Sequence, residues 1–199
     1  MTRLRRALPL VLAIAAVASL PTRALARYEG DFNVFIGQKW LKQGDWEPVD
    51  QQPEIGLLLA FAPERSRIWF AIEVLASEKN GTTLSPLYGT VSIHASTQEY
   101  GIGVRKVWNA GATRPFLGGG GCLIESSVDL DAPGFRQSFG AGDYGAWIET
   151  GVTWRIGKHF NLGFDLRYSY ADARYYNGFE SIDVAVGGFH AGALLGYGW

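Results

Sequence analysis

Large apolar side chains along much of this chain fall on every second position. From Tyr144 to Ile156, "YGAWIETGVTWRI", the even positions are Tyr144, Ala146, Ile148, Thr150, Val152, Trp154 and Ile156. The odd positions are small or charged except for Trp147. A helix would set its apolar residues three and four apart, so the period predicts a β-strand with one greasy face. The same reading holds for "NLGFDLRYSYA", with Leu162, Phe164, Leu166, Tyr168 and Tyr170 on one face. It holds for "TQEYGIGVRKVW" (Tyr100, Ile102, Val104), "RIWFAIEVLAS" (Ile68, Phe70, Ile72, Val74) and "EIGLLLAF" (Ile55, Leu57, Leu59, Phe61). The first strand is "DFNVFIGQKW", with Phe32, Val34 and Ile36 together, and the last runs along "GGFHAGALLGYGW".

"RPFLGGGGCLIESS" has the weakest period, because Gly118 to Gly121 carry no side chains to alternate. It is read as a strand with Phe116, Cys122 and Ile124 outward and Glu125 inward. Its glycines are read as room for bulky side chains inside or as a bend in the wall, against a flexible hinge or a ligand's close approach. That makes eight strands. Long connectors (roughly 41–52, 78–95, 128–143 and 172–182) alternate with short ones: "APERS", "NAGAT" and "GKHF". The expected fold is all-β, an eight-stranded antiparallel up-and-down transmembrane barrel, with tight periplasmic turns and longer outer loops. In hydrocarbon an unpaired backbone group costs several kcal/mol, so such a sheet must close on itself. Both termini are then periplasmic.

The front of the chain adds a compartment. Arg3, Arg5 and Arg6 precede an apolar stretch from Ala7 to Leu20, and Ala24-Leu25-Ala26 forms a small-x-small site. This is the pattern of a secretory signal peptide over residues 1–26, cleaved after Ala26. A membrane anchor is the competing reading, but fourteen residues including Pro9 fall short of the ~20 a spanning helix needs. The expected barrel domain is 27–199.

Composition changes the picture in three ways. The signal segment holds four arginines and no acids, so the remainder has 14 basic against 19 acidic side chains, a net of −5. That balance gives no reason to expect a nucleic-acid partner. Cys122 is the single cysteine, so an exported domain must be held by something other than an internal disulfide. Mean hydropathy is near zero. A membrane β-strand hides behind such an average because only alternate residues meet lipid. A secreted lipocalin-like barrel is the soluble competitor; it would bury the aliphatic face and need no terminal aromatic.

The signal peptide, the eight alternating strands and the ending "GALLGYGW" together resemble the small outer-membrane β-barrel superfamily, which includes the outer-membrane protein A, X and W types. The resemblance spans 27–199 as a pattern. It implies a Gram-negative outer-membrane location and contact with outer-membrane lipid or lipopolysaccharide. It also implies recognition of Leu195, Tyr197 and Trp199 by the barrel assembly machinery. Phenylalanine is commoner than tryptophan at the last position in that group. Aromatics suited to interfacial girdles are Trp40, Trp69, Trp108, Trp154, Tyr168, Tyr170, Tyr197 and Trp199, although Trp69 has inward parity.

The inward positions carry Glu54, Glu73, Glu99, Arg105, Glu149, Arg155, Asp165 and Arg167. Charges in a narrow barrel must be paired or hydrated. Two readings follow: a polar plug that fills the lumen, or a gated small-solute pore worked by a Glu–Arg switch. Eight strands leave little free channel, which favours the plug. Glu149, Arg105, Arg155 and Arg167 are the leading members of the expected network. "SIHAST" holds His94 and Ser96, an H-x-S similar to that of outer-membrane lipid A deacylases, with Glu99 as the third group. That family places its H-x-S late in the barrel, whereas this one sits in the fourth strand, so no enzyme is expected. Scattered histidines give no metal spacing, and no cofactor is expected. The outer loops, "LKQGDWEPVDQQP" and "DARYYNGFES" among them, mix aromatic and polar turn residues in a way that suits a surface ligand.

Overall fold

The computed structural model describes residues 28–86, 89–109, 111–176 and 181–199. The proposed signal segment lies outside the described residues. Among the described residues, ten strands and one short helix follow in order. They are β1 (Tyr28–Leu41), α1 (Gln43–Trp46), β2 (Gln51–Pro63), β3 (Ile68–Ser85), β4 (Gly89–Val107) and β5 (Thr113–Ala132). After them come β6 (Phe135–Ile156), β7 (Phe160–Tyr170), β8 (Asp172–Tyr176), β9 (Ser181–Ala185) and β10 (Gly188–Gly198).

Eight of these strands form a closed antiparallel barrel in the order β1-β10-β7-β6-β5-β4-β3-β2. Closure is made by β10 on β1, from Asp31↔Gly198 to Leu41↔Gly188, so the final alternating segment pairs with the first. Around the ring each edge finds a partner, which removes the exposed strand edge that an open sheet would present.

Parity divides the wall as the alternation predicts. Ile36, Ile55, Phe70, Ile102, Ile148, Phe164 and Leu195 face out and are exposed, while Phe35, Leu58, Leu75 and Leu194 are buried inside. Strand β7 runs ten residue steps from Phe160 to Tyr170. At about 3.3 Å per residue and a tilt of about 40°, that gives an apolar band roughly 25 Å tall. Aromatics rim it at both ends. Trp40 and Phe189 lie against each other with centroids 5.7 Å apart at one end, and exposed Trp108, Trp154 and Tyr197 mark the other.

Three expectations are corrected. In β5, Phe116, Cys122 and Ile124 point inward and are buried, whereas Glu125 is exposed outside. The glycines erased the period that would have fixed the phase, and Leu117 carries the outward parity. Gly118 leaves space for a lumen side chain: a Cβ there would collide with the Glu149 side chain, and on the neighbouring β4 one on Gly103 would lie 2.7 Å from the Trp147 ring. Trp69 is buried in the lumen, donating from Nε1 to the Ser66 carbonyl at 3.2 Å, and belongs to no girdle.

The third correction concerns the long connectors. Two of them are ladders: β3–β4 continues to Ser85↔Gly89 and β5–β6 to Ala132↔Phe135. In these extensions the apolar period switches to the inward face, at Val91, Ile93 and Ala95 in β4 and at Val128, Leu130 and Ala132 in β5, while the outward face is polar. The β5–β6 turn is "APGF", with Gly134 at φ 77°, a Pro-Gly pair suited to a tight turn. A separate ribbon, β8–β9, fills the last long connector. Across the mouth beneath it, α1 buries Trp46, whose Nε1 donates to the Ala185 carbonyl at 2.7 Å.

Candidate functional site: the lumen

Inward parity gathers the charged residues into three layers. At the end bearing the short turns, Asp31 is the hub. Its Oδ1 accepts from Arg155 Nη2 at 2.6 Å, Asn161 Nδ2 at 3.0 Å and Arg114 Nη1 at 3.4 Å. Arg155 also donates to Asn161 Oδ1 at 2.7 Å, and the Arg114 guanidinium lies 4.8 Å from the Trp69 ring centroid. Arg155 therefore stands apart from the other arginines of the expected network.

The middle layer is built on two arginines. Arg105 donates from Nε to Glu149 at 2.6 Å and from Nη2 to Glu73 at 3.3 Å. Arg167 reaches Glu73 through Nη1 and Glu99 through Nη2, the latter at 2.6 Å. Each guanidinium also covers an aromatic face: Arg105 over Phe116 at 4.3 Å and Arg167 over Trp147 at 4.5 Å. Planar forked donors that stack on rings suit such a site better than an ammonium would. Asp165 is buried beside them, within the fields of Glu149 and Arg105.

Above that layer lies a hydrogen-bonded tier. Lys39, fully buried, donates to Thr97 at 3.1 Å and stands 3.7 Å from Glu99. Thr97 meets Ser77 at 2.7 Å, and Ser77 donates to Gln52 at 2.7 Å. His190 bridges Glu54 through Nδ1 at 2.8 Å and Ser169 through Nε2 at 3.0 Å. The two upper layers set the carboxyls of Glu54, Glu73, Glu99, Glu149 and Asp165 against Lys39, Arg105, Arg167 and His190. Inward parity also carries Lys39, Asp31 and Arg114 into the lumen; the first two were readable from their phase with Phe35, whereas Arg114 sits on the strand blurred by glycine.

The H-x-S group does not assemble. His94 Nδ1 lies 2.7 Å from Asn80 Oδ1, and Ser96 meets Ser127 at 2.9 Å. Glu99 points to the opposite face, engaged by Arg167. A serine–histidine–acid row does occur at Ser169, His190 and Glu54, but all three are buried within the lumen packing. Among the described residues no group of three His, Cys, Asp or Glu side chains is placed to hold a metal ion.

No protein-family model matches the chain, and no curated protein does. Solved structures do match in fold. The attachment invasion locus protein Ail of Yersinia pestis, determined with the heparin analogue sucrose octasulfate, is 14% identical with a TM-score of 0.56, covering 87% of this chain and 99% of that one. The outer membrane protein OprG of Pseudomonas aeruginosa is 15% identical with a TM-score of 0.56, covering 86% and 94%. A major outer membrane protein of Thermus thermophilus is 11% identical with a TM-score of 0.55, covering 85% and 98%. The chain has the fold of these small outer-membrane barrels.

Proposed function

We propose that the chain is an integral outer-membrane barrel of a Gram-negative bacterium, secreted by a signal peptide over 1–26 and folded over 27–199. Its lumen is a plug, and its role is surface interaction through the outer connectors. One observation carries the reading: the ring is apolar outside and ion-paired inside. Exposed Ile36, Ile55, Phe70, Ile102 and Phe164 ring the wall, while Arg105, Arg167, Glu73, Glu99 and Glu149 are buried within it. A soluble barrel would reverse those faces. Water would not wet the outer band favourably, at about 25 cal/mol per Å2 of apolar surface.

The polar interior is held by mutual pairing. Breaking such a buried pair is costly because an uncompensated charge remains, so the plug resists opening. Short turns and both described chain ends lie on one side, which the reading places in the periplasm; α1, the β3–β4 and β5–β6 extensions and the β8–β9 ribbon then stand outside. That end carries Asp45, Glu78, Glu125, Asp129, Asp131, Asp172 and Asp183 against Lys42, Lys79, Arg136 and Arg174. Its charge favours neutral or cationic ligands over sulfated ones. The separation of Glu99 from His94 and Ser96 supports a non-enzymatic role.

Planar-bilayer recording tests the plug. The folded protein should leave the bilayer silent; a steady unitary conductance would overturn the plug in favour of the gated pore.

A further inference from the structure

The barrel wall has a notch. The β2–β3 ladder ends at Glu54↔Ser77, although β2 continues pairing with β1 to Trp40↔Gln51 and β3 continues with β4 to Ser85↔Gly89. One step further, the register partner of Glu78 would be Pro53, which has no N–H to donate to a ladder. The two strands part there, and a crevice of about 900 Å3 opens between them.

Its walls differ in chemistry. The lower lip is Pro53, Ile55 and Ala76, continuous with the exposed apolar band at Ile72. The upper wall is Glu78, Asn80, His94, Ser96 and Gln98. Gln98 accepts the Tyr100 hydroxyl at 2.9 Å, which leaves its amide NH2 as a donor. At the back, the lumen side chains Glu54, Ser77 and Thr97 reach the same space. Among the described residues, the lining carries two carboxylates and no Lys or Arg.

We propose that this crevice binds the uncharged, hydroxyl-rich head of a membrane glycolipid, its acyl chains lying on Ile55 and Ala76. The assignment rests on the membrane reading above, which sets the notch at the boundary between hydrocarbon and water. Alternating amide, hydroxyl and imidazole groups match vicinal sugar hydroxyls, each able to donate and accept. Glu54 and Glu78 repel phosphate and sulfate, so an anionic head is disfavoured. The apolar lip selects a head that arrives with acyl chains rather than a free sugar.

The test uses the full chain in lipid nanodiscs, with insertion first established by the heat-dependent gel shift of a folded barrel. Failure at that step would defeat the membrane reading itself. Amide NMR shifts at residues 76–80 and 94–98 are followed as monoglucosyl diacylglycerol, phosphatidylglycerol or methyl glucoside is added. Saturable shifts with the glucolipid alone are expected. They should be reduced at least tenfold in apparent affinity by Ser96→Trp, which fills the crevice, and by Pro53→Thr, which restores the missing N–H. Equal shifts with phosphatidylglycerol, equal shifts with methyl glucoside, or unchanged binding in a folded Ser96→Trp variant would each overturn the proposal.

Discussion

The main chains of Gly30 and Trp199 exchange two hydrogen bonds: Gly30 N donates to the Trp199 carbonyl at 3.2 Å, and Trp199 N to the Gly30 carbonyl at 3.0 Å. The pair extends the β1–β10 seam by one residue beyond Asp31↔Gly198. It also sets the tryptophan ring on Gly30, where an added Cβ would lie 2.7 Å from Cη2 and closer still to its neighbours.

Gly30→Val should therefore displace that ring and loosen the seam. Overpacking of this kind costs about 1–3 kcal/mol. The expected result is a lower urea midpoint and a red-shifted tryptophan emission. Adding Trp199→Ala to it should relieve most of the loss.

Deleting Tyr197–Trp199 removes the register partner of Phe32 and the bonds to Gly30. Insertion into the outer membrane should fall severely in cells, measured by fractionation. Normal insertion of the truncated chain would contradict the role given to this segment in assembly.

Arg167 serves two carboxylates at once, Glu73 and Glu99. Arg167→Met leaves both buried without it, and should destabilise the folded barrel by about 3–5 kcal/mol. The double variant Arg167→Met, Glu73→Gln should recover part of that loss, because Glu99 keeps Lys39 as its ion partner and Arg105 keeps Glu149. Reversible unfolding in urea with lipid vesicles measures both.

Outside the apolar band, Arg174 and Asp183 face each other across the β8–β9 ribbon, with Nε donating to Oδ1 at 2.8 Å. The hydrogen bond from Arg174 holds the Asp183 carboxyl below its ordinary value. The pair's support is thus present above the unfolded carboxylate value, about 3.9, and is lost as pH falls through the lower folded value. Protection factors of the ribbon amides, taken relative to the intrinsic exchange rate at each pH, should fall over that window in the parent and change less in Asp183→Asn. Being exposed, the pair contributes little to global stability.

Much of the barrel is legible from one physical fact: a wall with unlike faces forces period two. Where side chains carry the period, as at Phe164, Leu166 and Tyr168, phase and burial follow directly. At Gly118–Gly121 there is nothing to alternate, and the phase of Phe116, Cys122 and Ile124 is settled by packing on the inner face with Arg105 and Trp147 of the two neighbouring strands. Beyond the band the period of β4 and β5 changes phase, from outward Ile102 and Val104 to inward Val91, Ile93 and Ala95 and to Val128, Leu130 and Ala132, so a reading that follows one greasy face stops there; the Pro133-Gly134 turn is the further sign of a hairpin. Among lumen residues, parity finds the charged groups but not their partners. Arg155 shares its face with Glu149 yet lies several residues along the strand, and distance along the barrel axis sends it to Asp31 instead. Nothing in the local sequence marks Pro53 as the edge of a notch, because its effect depends on which residue of β3 stands opposite.

The central claim is that this chain is a folded barrel in the outer membrane. Its most direct test is electrophoresis of the outer-membrane fraction, with and without boiling, after expression of the full chain. A heat-dependent mobility shift in that fraction is the predicted result. A soluble periplasmic product whose mobility does not change on boiling would contradict it.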